Sequence, residues 1–153
     1  MRRTVRCLIL FFGVIMIFTL FGCGKQKHEL HFDRECFRVT FINNVETADV
    51  WVLPQTDDNL KSSLWGTASA KSLEVNTQRD ITLSKTDESE LYIVNIIDAD
   101  HAYYSAQNIR LDDGYVIRFT TEDSKYDAYI EVLNTDGAVL MKQEAFVGVF
   151  GAE

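Results

Sequence analysis

Downstream of residue 34 the apolar residues return at every second position, and that period constrains the fold more than any other feature. Phe37, Val39 and Phe41 alternate with Arg38, Thr40 and Ile42. A strand sends successive side chains to opposite faces, so this spacing builds one apolar face and leaves the other to a more polar environment. Asn43-Asn44 interrupts the run as turn residues do. Ala48 to Leu53 forms a second run, closed by Pro54. Asp57 to Trp65 is the least strand-like stretch. Asp57 or Asp58 is placed there to cap a short helical turn that gathers Leu60, Leu64 and Trp65. Leu73 with Val75, and Ile81 with Leu83, predict two further short strands.

Leu91 to Ile97 is apolar on both faces except at Asn95, which is the pattern of a central strand covered on both sides. Ala102 to Gln107 and Asn108 to Leu111 predict two short strands or one bent one. Asp112-Asp113-Gly114 is a turn, and Tyr115 to Thr121 follows as a strand. Tyr126 to Leu133 leads into Asn134-Thr135-Asp136-Gly137, where Gly137 supplies the positive φ of a short hairpin loop. Ala138 to Gln143 returns, and Phe146 to Phe150 is a last short strand. Eight or nine short strands at such spacing predict a single antiparallel β-sandwich over residues 35–153, the alternative being a small β-barrel.

Phe41-Ile42-Asn43, Val50-Trp51-Val52, Trp65-Gly66 and Tyr92-Ile93-Val94 leading to Asp98 and Asp100 resemble an arrangement that recurs in small exported β-sandwich domains. The resemblance covers about half of the chain after residue 22. It implies the fold and assigns no functional residue.

The N-terminus follows different rules. Arg2, Arg3 and Arg6 precede a run from Cys7 to Phe21 broken only by Gly13 and Thr19, and Gly22-Cys23-Gly24 ends it. A cationic start, an apolar middle and a small-residue exit form an export signal. The run falls short of the roughly 20 apolar residues that a membrane-spanning helix needs. Leu20-Phe21-Gly22-Cys23 resembles the lipobox of bacterial lipoproteins, with Phe21 where a small residue is usual. The resemblance implies cleavage between Gly22 and Cys23 and a diacylglyceryl group on the Cys23 sulfur. Residues 1–22 are then a signal peptide that enters the membrane as a helix, and residues 23–34, which are polar and without period, a flexible tether. The expected location is the bacterial cell membrane or outer membrane, on its extracytoplasmic side. Stable anchoring takes two acyl chains, and a diacylated cysteine supplies them.

Charge narrows the partners. The first 22 residues hold three of the 15 Lys and Arg and none of the 23 Asp and Glu, which leaves 12 cations against 23 acids, a balance of −11. Such a surface repels nucleic-acid phosphates, so no nucleic-acid partner is expected. It repels anionic headgroups equally, which leaves the lipid on Cys23 as the link to the membrane. Cys7 leaves with the signal and Cys23 carries lipid, so Cys36, expected as a half-buried strand residue, has no intramolecular disulfide partner.

Few residues suggest chemistry. Asp98 and Asp100, alternate carboxylates at the end of a strand, suit Ca²⁺, which takes oxygen ligands. His28 and His31 fall in the tether, where nothing holds ligands in place. His101, the single histidine after residue 34, has Asp100 beside it and Ser105 nearby, but no Gly-x-Ser-x-Gly elbow accompanies any serine. A hydrolase using His101 is therefore the weaker expectation. A third is structural self-assembly through exposed edge strands. The leading expectation is a binding or accessory domain that contacts an envelope protein or glycan. Tyr103 and Tyr104 occupy opposite faces of one strand, so one ring faces outward, and with Trp65 they are the candidate binding residues.

Overall fold

The computed structural model describes residues 35–62, 65–85 and 89–149, with the side chain of Val149 outside that description. The expectations for Gly22, Cys23, His28, His31, Leu64 and Phe150 lie outside the described residues. Ten strands and one short helix make up the described part: β1 (Cys36–Asn43), β2 (Thr47–Pro54), α1 (Asp57–Lys61), β3 (Ala70–Leu73), β4 (Gln78–Ser84), β5 (Leu91–Asp98), β6 (Ala102–Arg110), β7 (Val116–Thr121), β8 (Ala128–Leu133), β9 (Val139–Glu144) and β10 (Phe146–Val149).

The strands form two five-stranded sheets, in the order β4-β1-β7-β8-β9 (sheet A) and β10-β6-β5-β2-β3 (sheet B). Neither closes on itself, so the sandwich stands and the barrel does not. The pairing is antiparallel with one exception. β1 runs parallel to β7, with Thr40 opposite Val116 and Asn43 opposite Phe119. Parallel neighbours cannot be joined by a tight turn. Here the chain between them crosses to sheet B for β2 and β3, returns to sheet A as β4, and crosses sheet B again as β5 and β6.

The core is what the alternation dictates. Phe37, Val39 and Phe41 of β1, Ile81 and Leu83 of β4, Ile117 and Phe119 of β7, and Ile130 and Val132 of β8 point inward from sheet A. Val50 and Val52 of β2, Tyr92, Val94 and Ile96 of β5, and Tyr104, Ala106 and Ile109 of β6 meet them from sheet B. Rings bridge the two layers. Phe37 meets Tyr92 edge to face at 5.7 Å, and Tyr104 meets Phe119 at 4.8 Å. β5 is buried along almost its whole length, as expected of a strand covered on both faces.

Local chemistry sets the details. Residues 102–110 are one strand with a bulge, not two. Asn108 takes a positive φ of 59°, and the register against β5 shifts between Tyr92 and Val94. Val75 falls in the turn after β3 and is exposed, so it belongs to no strand. The cap of α1 is Thr56, whose hydroxyl accepts from the Asn59 backbone N–H, and not either aspartate. Asp57 and Asp58 occupy the first turn, where the N-terminal end of the helix favours negative charge. Cys36 is exposed at the start of β1, its Sγ 3.9 Å from Ser84 Oγ, rather than half-buried. An edge position explains this, because Cys36 pairs with the last residue of the edge strand β4.

Candidate functional site

The outward face of sheet B holds a ring cluster. β2 alternates Val50 and Val52 inward with Trp51 and Leu53 outward, and β6 sends Tyr104 and Ala106 inward with Tyr103 and Ser105 outward. On β10, Phe146 pairs with Ser105 and Gly148 with Tyr103, so both share that outward face. The connection between β2 and β3 brings Trp65 onto it. Trp65 lies nearly parallel to Tyr103, with ring centroids 5.4 Å apart and planes 14° apart. It also meets Trp51 at 5.3 Å. Tyr103 in turn presents an edge contact to Phe146 at 6.5 Å. Gly66 secures the arrangement: its φ of 69° turns the backbone so that its carbonyl accepts from Trp51 Nε1 at 3.2 Å.

A neutral polar group sits among these rings. The Asn95 side-chain oxygen accepts from the Tyr103 hydroxyl at 3.0 Å and from the Ser105 hydroxyl at 2.8 Å. Asn95 is the one polar residue of β5 before Asp98, and it is buried. An unpartnered buried amide is costly, so two hydroxyls satisfying its oxygen hold the Tyr103 ring in one orientation. Burial pushes the Tyr103 phenol above its usual range, and the Ser105 hydrogen bond opposes that shift. At the end of the face, Gln55 Nε2 donates to Asn108 Oδ1 at 2.9 Å, and the Asn108 backbone N–H donates back to Gln55 Oε1 at 2.6 Å. This pair pins the end of β2 to the bulge of β6.

The expected binding residues therefore separate. Trp65 and Tyr103 come together, each half-buried. Tyr104 does not join them: it is fully buried in the core and offers no surface to a ligand. Burial raises its phenol well above the ordinary value, and donation to Asp98 raises it further. Phe146 was not among the expected binding residues. Its signal was the alternation of Phe146 and Gly148 with Val147, in a strand only four residues long.

Asp98 and Asp100 do not act together. Asp98 Oδ1 accepts from the backbone N–H of Asp100 at 2.9 Å and of Ala102 at 2.8 Å, and Oδ2 accepts from the Tyr104 hydroxyl at 2.8 Å. Both oxygens of Asp98 thus turn inward to close the β5–β6 turn, while Asp100 is exposed. Among the described residues no group of three or more His, Cys, Asp or Glu is placed to hold a metal ion. His101 is exposed in the same turn, with a positive φ of 62°. No serine or carboxylate among the described residues hydrogen-bonds its imidazole.

Comparison with family models, with curated proteins and with solved structures returns no match to this chain.

Proposed function

We propose that the chain is a lipid-anchored binding domain of the bacterial envelope that engages its partner through the outward face of sheet B. The observation that carries this reading is the contiguous set Trp51, Trp65, Tyr103 and Phe146 on one sheet face. Phe146 is 68% exposed at the margin of a cluster whose other members are half-buried. Rigid rings lose little side-chain freedom on binding and bring large apolar area, which is why aromatic residues are enriched at recognition hot spots. The export signal and the lipobox-like Leu20-Phe21-Gly22-Cys23 support the location. The acidic balance supports a lipid tether over adhesion by the domain surface, because anionic headgroups repel it.

Phe146→Ala tests the reading, since an exposed ring contributes little to stability and its loss leaves the fold intact. The full chain, extracted from membranes and immobilised, is expected to retain an envelope component that Phe146→Ala retains about tenfold less. Equal retention by both chains would remove this face from the recognition surface.

A further inference from the structure

We infer that the ligand of this face is an uncharged oligosaccharide, an inference that rests on the binding-domain reading above. The first argument is charge. The chain after residue 22 carries 12 cations and 23 acids, yet β5 from Leu91 to Ile97, β6 from Ala102 to Ile109 and β10 contain no charged residue. The outward side of β2 and β3 adds one acid and one cation, Asp49, which lies across Ile97 from Tyr103, and Lys71, and the two pair at 3.7 Å. A face without net charge on so acidic a chain fits a ligand without charge.

The second argument is the mixture of groups. A pyranose has an apolar C–H face and a rim of hydroxyls, so it needs ring faces beside neutral donors and acceptors. Tyr103, Trp65 and Phe146 supply the rings. The Tyr103 hydroxyl and the exposed Gln107 carboxamide, which follows Ser105 on the outward side of β6, supply the polar groups. An apolar peptide segment would have no use for that polar set. Ligand sites of this kind are mostly apolar with a few placed polar groups.

The test titrates the full chain, in a zwitterionic detergent without a sugar headgroup, with cellotetraose, chitotetraose and maltotetraose while following tryptophan emission. At least one sugar is expected to give a saturable change, because Trp65 stacks on Tyr103 at the site. The midpoint should move less than about twofold between about 0.05 and 0.5 M NaCl, since no ion pair forms. Phe146→Ala should weaken it at least about tenfold and Phe146→Tyr should restore it. No saturable change with any of the three sugars, or binding that collapses in salt, overturns the inference. If the sugars fail while Phe146→Ala still loses the envelope component, the ligand class is wrong and the binding face stands. If neither effect is seen, both fall.

Discussion

Phe119→Ala is expected to destabilise the domain by about 3–5 kcal/mol, the range for deleting a buried aromatic side chain. Phe119 lies on β7 with no exposed surface, and its ring meets Tyr104 of β6 at 4.8 Å. That contact is one of the ring pairs through which sheet A meets sheet B, so truncation loses the transfer energy of the ring and leaves a void between two layers. β7 cannot relax into it easily, because it is held on both sides, by β1 and by β8. Urea unfolding of the full chain, followed by far-ultraviolet circular dichroism, should show a lower midpoint with an unchanged slope. A loss under about 1 kcal/mol would mean that the two sheets do not pack through this pair.

Asp98→Ala should cost about 2–4 kcal/mol by a different route. The carboxylate accepts from two backbone N–H groups and from the Tyr104 hydroxyl. Removing it strands the buried Ala102 N–H and Tyr104 hydroxyl, and the desolvation cost of each unmet donor is then felt. Tyr104→Phe alone should cost about 1 kcal/mol, by leaving Asp98 Oδ2 without its donor. In the Asp98→Ala background the same change should cost almost nothing, because the bond is already gone. The double-mutant cycle measures that coupling, and additive losses would contradict a direct Asp98–Tyr104 bond.

Tyr104 joins these two predictions and also shows where residue pattern stops being informative. Alternation requires Tyr103 and Tyr104 to face opposite ways, yet two identical residue types cannot say which is inward. The decision comes from Ala102 and Ala106, whose parity puts Tyr104 in the core, while Ile109 joins that face only through the bulge at Asn108. Asp98 and Asp100 pose the same problem: two residues apart, they read as a pair, but a tight turn between them breaks the period and turns Asp98 inward. The number and position of most strands were legible because period two is a local property. Which sheet each strand joins was not, since that depends on pairing between distant segments. The parallel β1–β7 pair is the clearest case. The face formed by Trp51, Trp65, Tyr103 and Phe146 was half legible. Trp65 and Tyr103 stood out as rings, whereas Phe146 sat near the end of the sequence, in a strand too short to establish a period.

We propose that this domain works outside the cytoplasm on a lipid anchor, and intact-mass measurement of the chain extracted from membranes is the decisive test. The expected species begins at Cys23, with residues 1–22 gone and a diacylglyceryl group on the cysteine sulfur. A chain that still carries Met1 to Gly22, or one that begins at Cys23 without lipid, would contradict it.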